Sequence, residues 1–320
     1  MVSRKNVLKN NQTRIHLLLF CAALTLAAPS AFCQTAVSRP SQPAPTQRQQ
    51  QGWAGQQSQQ AWATQKLAKS PRRGEWVKIS NGSRTLKAFV IYPEVKRNVP
   101  VVLVLHEVFG LTDSTRNTAD EIAAMGYIAI APDMLSGRGP NGGDVESFDQ
   151  PHGASDTLTG LSDEAVNGDL NAWADYGDKL PGSNGKFAIV GLSWGGGAAF
   201  RYVASTQRKD LKAVCVFYDI GLPQETQHFP GAPASISVAP ITVPVYGFYG
   251  STDTRPLVTL DATKAAMAAA GKFYEPVVYE GADHAFMRVG EDPSNTNPAN
   301  AAAVKETLVR LEKLLKSALL

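Results

Sequence analysis

The chain has 320 residues, 43% of them apolar, and a mean hydropathy of −0.16. That is enough for one large domain with appendages, or two small ones, around a sizeable core. The net charge of +3 comes from one end: residues 1–33 carry Arg4, Lys5, Lys9 and Arg14 and no acid, so the remainder is slightly acidic. Such a balance offers no electrostatic footprint for nucleic acid or an anionic membrane, and neither is expected as a partner.

The basic start runs into the apolar stretch Ile15–Ala28, and small residues Ala31 and Cys33 flank Phe32 before Gln34. This pattern predicts a secretory signal peptide over 1–33, cleaved after Cys33, and hence a periplasmic or secreted protein. The apolar stretch is short for a membrane span, and an uncleaved anchor is the alternative. Phe32 before Cys33 argues against lipid attachment there. Cleavage would leave Cys215 as the remaining cysteine, so no intrachain disulfide is expected. Its place in Ala213–Tyr218 reads as a buried strand residue rather than a reactive thiol.

From Gln34 to about Ser70 the sequence turns polar, with eleven glutamines and Pro40, Pro43 and Pro45. Too little there is apolar to offset the entropy of ordering, which predicts a disordered linker over 34–70. Trp53 and Trp62 leave open a short helix that docks on the domain or on a partner.

The folded domain is expected over 71–320. Trp76–Ile79 and Thr85–Ile91 flank Asn81-Gly82, a hairpin signal. Strand and helix patterns then alternate: strand Val101–Leu105, helix Ser114–Met125, strand Tyr127–Ala131, helix Asp163–Lys179, strand Phe187–Val190 and a helix after Trp194. Strands Val214–Tyr218 and Val245–Tyr249, helix Pro256–Ala270, strand Tyr274–Tyr279 and a helix carrying Val304, Leu308, Leu311 and Leu315 complete the order. Continuous apolar runs such as Val101–Leu105 suit strands buried on both faces. The fold class is α/β, a mostly parallel sheet covered on both faces and opened by an antiparallel hairpin. Ser136–Gly160 and Asp219–Pro240 read as loops that roof the ligand side of the sheet.

Gly191-Leu192-Ser193-Trp194-Gly195 fits Gly-x-Ser-x-Gly on a strand–turn–helix junction, the context of the α/β-hydrolase nucleophile. Ser193 must sit on a strained turn, with Gly191 and Gly195 giving clearance between helix and strand. A hydroxyl needs a base to remove its proton. Beyond the leader the histidines are His106, His152, His228 and His284. His284, after the last strand and before the last helix, holds the place of that base, while His152 and His228 read as solvated. Asp253, just past the penultimate strand, is the acid that fixes the imidazole tautomer. Asp219, one strand earlier, is its rival; Asp283 adjoins His284 and points elsewhere.

Four stretches, His106–Leu111, Ala131–Leu135, Gly191–Gly197 and Gly281–Arg288, resemble the dienelactone hydrolases, over about Arg73 to the C-terminus. The resemblance implies an oxyanion hole from the backbone N–H groups of Val108 and Trp194, a Glu107 directed toward the nucleophile, and an Arg288 that helps hold a substrate carboxylate. The family's namesake members carry cysteine where this chain has Ser193, and a small hydroxyl residue where it has Ala285. Glu107 is therefore open to several readings: a hydrogen bond to Ser193, a substrate contact, an N-cap, or a buried pair with a nearby arginine. Arg138 sits in a loop and offers no clear second cation.

The expected activity is hydrolysis of a small carboxylic ester or lactone through Ser193, His284 and Asp253. The alternatives are a carboxymethylenebutenolidase opening a carboxylated lactone, an acyltransferase, and a non-catalytic binding module. No cofactor is expected: the histidine and cysteine spacing forms no metal cluster, and Gly195–Gly197 lacks the lysine of a phosphate loop.

Overall fold

The structure is a computed structural model that describes residues 57, 59–95, 98–150, 152–219 and 236–320, all within one compact unit. The expected signal peptide, its cleavage site, Trp53 and His228 lie outside the described residues. Eight strands form one sheet: β1 (Gly74–Asn81), β2 (Arg84–Ile91), β3 (Val99–Leu105), β4 (Ile128–Asp133), β5 (Ser183–Leu192), β6 (Leu211–Phe217), β7 (Val245–Gly250) and β8 (Tyr274–Tyr279). Their order is β1-β2-β4-β3-β5-β6-β7-β8. β2 is antiparallel to both its neighbours, and every pairing from β4 to β8 is parallel. This is the expected α/β sheet with its opening hairpin, and the protein has the α/β-hydrolase fold.

The apolar runs become the central strands because both faces are covered. β3 and β4 are buried at every position, whereas β1 alternates between exposed and half-buried residues at the sheet edge. Helix α4 (Asp163–Asp178) and α5 (Trp194–Ser205) pack on each other and on the middle of the sheet. Helix α2 (Asp113–Ala124) and the C-terminal α8 (Pro298–Leu319) cover the other face, and α6 (Thr254–Ala269) borders β8. Phe217 and Phe248, paired across β6 and β7, stack at 4.3 Å.

Four local expectations need correction. The hairpin loop is Gly82-Ser83, not Asn81-Gly82: Asn81 pairs with Arg84, and Gly82 takes the positive φ of +59° that the turn requires. Ser136–Gly160 is not a plain loop. It contains two short 3-10 turns, Pro140–Gly142 and Val145–Ser147, and helix α3 (Gly153–Thr159). A one-turn helix α7 (Phe286–Val289) follows His284. The linker expected over 34–70 ends early: α1 (Ala61–Ala68) packs on α2, with Ala63 fully buried. This is the docked short helix left open at Trp62, and composition favoured the linker because much of the docking uses polar side chains, which a count of apolar residues does not weigh.

Candidate active site

β3, β5, β6, β7 and β8 end on one edge of the sheet, and the candidate residues sit just past those ends. Leu105 pairs with Gly191, so the segment after β3 and the turn after β5 emerge side by side. Ser193 occupies that turn with φ +49° and ψ −120°, and Trp194 starts α5 directly behind it. Strain of this kind persists because the surroundings leave no alternative. A Cβ on Gly191 would run into the Gly195 carbonyl, and one on Gly195 would lie 2.7 Å from Leu105 Cβ and O. The glycines thus let the helix start against the strand.

His284 and Asp253 are held by two loops stitched together. Thr252 N–H donates to Ala282 O (3.1 Å), Gly281 N–H to Ser251 Oγ (2.7 Å), and Ser251 N–H to Tyr279 O (2.9 Å). The next residue, Ala285, takes φ +60°, which turns the chain into α7. The outcome is a continuous chain of contacts. Ser193 Oγ lies 3.1 Å from His284 Nε2, and Asp253 Oδ2 lies 2.5 Å from His284 Nδ1. Asp253 is buried, and a carboxylate can only accept there, which assigns the ring proton to Nδ1 and leaves the Nε2 lone pair toward Ser193. Arg255 Nη2 also comes within 2.9 Å of Nδ1, and its Nε is 3.6 Å from Asp253 Oδ1. One nitrogen cannot bond both in its plane, and the charged, nearer carboxylate takes it.

The other residues singled out from the sequence fall as follows. Glu107 is buried and pairs with Arg288, whose Nε donates to Oε2 at 2.7 Å, while Tyr218 OH donates to Oε1 at 3.3 Å. The buried pair with an arginine is therefore the arrangement found, in place of a Glu107 directed at Ser193. Burial opposes the Arg288 charge, yet Glu107 beside it outweighs this and raises the guanidinium's pKa. Val108 lies in a turn closed by Gly110 N–H to Glu107 O (3.1 Å), and Trp194 is the first residue of α5, so its amide has no partner within the helix. Asp219 accepts from Gly197 N–H (3.1 Å). Asp283 faces Thr252, Asn297 and Asn300, whose hydrogen bonds hold its carboxyl below the usual range. Arg138 donates to Asp169 at 2.5 Å and to Met134 O at 2.9 Å. His152 begins α3, where its carbonyl accepts from Asp156 N–H.

His106 is fully buried, with Nδ1 2.7 Å from Glu107 O and Nε2 accepting from Met134 N–H at 3.1 Å. Only the neutral ring satisfies both, and burial pushes its pKa down to about 4. It stacks on Trp194 at 5.6 Å, a structural role next to the elbow. Sequence reasoning missed two residues here. Tyr218 (φ +39°) reads as the end of an apolar strand, yet its ring edges His284 at 5.1 Å. Arg255 follows Asp253 by two positions, and that spacing was the available signal. Among the described residues no group of histidine, cysteine and acidic side chains is gathered to hold a metal. Among the same residues no helix is long and apolar enough to cross a membrane.

A sequence profile of the dienelactone hydrolase family matches residues 86–319. The chain belongs to the dienelactone hydrolase family. It is a hydrolase on that ground, acting on a small molecule. A Salmonella typhimurium relative named "Putative carboxymethylenebutenolidase" is 32% identical over 190 residues, 59% of this chain and 68% of that protein. A Yersinia pestis relative of the same name is 30% identical over 204 residues, 63% of this chain and 74% of the other. Among solved structures, the "Putative Dienelactone Hydrolase" of Klebsiella pneumoniae aligns with a TM-score of 0.62 at 26% identity, over 74% of this chain and 97% of its own.

Proposed function

We propose that this protein is an exported serine hydrolase that cleaves a small carboxylic ester or lactone through an acyl-enzyme. The observation that carries the reading is the contact of Ser193 Oγ with His284 Nε2 at 3.1 Å, with Asp253 on the opposite ring nitrogen. In this reading His284 takes the Ser193 proton as Oγ attacks the acyl carbon, and Asp253 stabilises the resulting imidazolium. The amides of Val108 and Trp194 receive the oxyanion. His284 then returns the proton to the leaving alkoxide, and water repeats the sequence to release the acid and free Ser193. The namesake members' cysteine can be poised as a thiolate beforehand. Serine cannot, so here the base works during attack. Ser193→Ala is expected to lower kcat toward p-nitrophenyl acetate by roughly 10⁴-fold or more with the fold intact; undiminished turnover would refute the reading.

The relatives' name makes a carboxylated lactone the second candidate substrate. Against it, Arg288 is already paired with Glu107, and Arg138 with Asp169. The charge of each is already countered by a carboxylate of the chain itself, which favours an uncharged ester or lactone. A panel of neutral and carboxylated lactones and esters, with Ser193→Ala as control, decides between them. Export belongs to the same proposal, and N-terminal sequencing of the mature protein tests cleavage after Cys33.

A further inference from the structure

The oxyanion turn after β3 runs straight into α2, so the place of that helix's first turn sets the place of the turn. The helix does not cap itself. Its N-cap, Thr112, makes no side-chain hydrogen bond to the helix amides. Two glutamines more than fifty positions earlier do that work. Asp113 N–H donates to Gln57 Oε1 at 3.1 Å, and Ser114 N–H to Gln60 Oε1 at 3.0 Å. Gln60 is buried. Thr64 Oγ donates to the Asp113 carboxylate, which also pairs with Arg116. Glutamine suits the position: it reaches as a neutral acceptor, where a glutamate would set a second charge beside the buried Asp113.

The same segment holds the other side of the site. Lys66 Nζ bridges Glu121 of α2 (2.9 Å) and Glu291 (3.1 Å), and Asn117 Nδ2 donates to Glu291 at 2.5 Å. Glu291 stands two residues past α7, which carries Arg288, the partner of Glu107. Ser70 Oγ and Arg72 Nε both donate to Asp120 Oδ1, at 2.7 and 2.9 Å, and close the strap further along α2. Gln57, Gln60, Thr64, Lys66, Ser70 and Arg72 thus form a strap that grips both chain segments that contribute to the Glu107–Arg288 pair beside Val108.

We propose that this strap is a positioning element of the active site, holding the Val108 amide where the oxyanion forms; this rests on the hydrolytic reading given above. The strap touches no substrate and acts through α2 and the turn before it. A donor displaced by a fraction of an ångström still lets the ester bind and weakens mainly the tetrahedral state.

The test uses the full chain with Gln57→Ala and Gln60→Ala together, assayed well below its melting temperature. The expected result is a kcat toward p-nitrophenyl acetate lower by about tenfold or more, with KM within about twofold. A boronic acid, which forms a tetrahedral adduct with the serine, should lose affinity in parallel. A folded double variant with unchanged kcat and unchanged boronate affinity would overturn the proposal. If the double variant does not fold, Lys66→Gln cuts only the exposed ties to Glu121 and Glu291. It should lower kcat by about threefold with KM held, and an unchanged kcat there would overturn the proposal equally. Ser193→Ala run alongside separates the two ideas, because turnover in that variant removes the hydrolytic reading, whereas full kcat in a strap variant removes only the strap's role.

Discussion

Glu107 and Arg288 are the residues whose pairing most constrains the site's chemistry. Glu107 is buried and Arg288 mostly so, and each is the other's main compensation. Glu107→Gln leaves a guanidinium in the interior without its counter-charge, and a loss of about 3–5 kcal/mol in unfolding free energy is expected by denaturant titration. Replacing both, with Glu107→Gln and Arg288→Met, should restore most of that loss, because no unpaired charge remains. If Arg288 instead serves a substrate carboxylate, the single variant should raise activity on carboxylated lactones. Gly195→Ala acts by shape alone: its Cβ would meet Leu105 Cβ and O at 2.7 Å. Stability should fall by about 1–3 kcal/mol, and kcat should fall well beyond what that loss explains, since the elbow must shift to make room.

At the scale of elements, the segment after β4 is held by two buried groups with opposite pH behaviour, His106 from the segment after β3 and Asp133 at its own start. His106 has its pKa pushed from 6.5 down to about 4 by burial, so the stability it contributes is present above 6.5 and is lost as pH falls toward 4. Asp133 accepts from Leu135 N–H (3.0 Å) and Val145 N–H (2.9 Å), yet burial outweighs those bonds and raises it from 3.8 to about 7. Its contribution is fully present below 3.8 and is lost as pH rises toward 7. The two slopes oppose each other through the overlapping range. The parent protein's melting temperature should therefore change little between about pH 4 and 6.5, His106→Gln should expose a fall with rising pH, and Asp133→Asn the reverse. Parallel profiles for all three proteins would show that neither group titrates as its burial implies.

For the molecule as a whole, the sheet was legible because strands covered on both faces leave continuous apolar runs such as Val101–Leu105, and turns leave glycine. That Ser193, His284 and Asp253 come together was legible because each follows a strand whose order in the sheet is fixed by connection rules. The missing parts share one cause. Glu107 with Arg288, and Gln60 with Ser114, are pairings of polar groups far apart in the chain, which no local pattern encodes. Gln57 and Gln60 were hidden further by their neighbours: set in a glutamine-rich stretch, two acceptors with defined partners look like filler. Gly82, one place off in the hairpin, shows a smaller limit, since Asn-Gly and Gly-Ser each satisfy a two-residue turn and only the pairing of β1 with β2 chooses.

Gly195, Gly196 and Gly197 open α5, and they have a consequence in time as well as in space. Each gives up about 1 kcal/mol of helix propensity relative to alanine, so the first turn behind Ser193 has little tendency to form before β3, β5 and β6 have met. A chain emerging from denaturant should regain most of its helical signal from α4 and α8 first, and its reactivity toward a fluorophosphonate only afterwards. Simultaneous recovery of the two would mean that the elbow forms on its own. Otherwise the Ser193 turn is assembled by the last step of folding, and a half-folded copy of this hydrolase carries that serine without its neighbours in place.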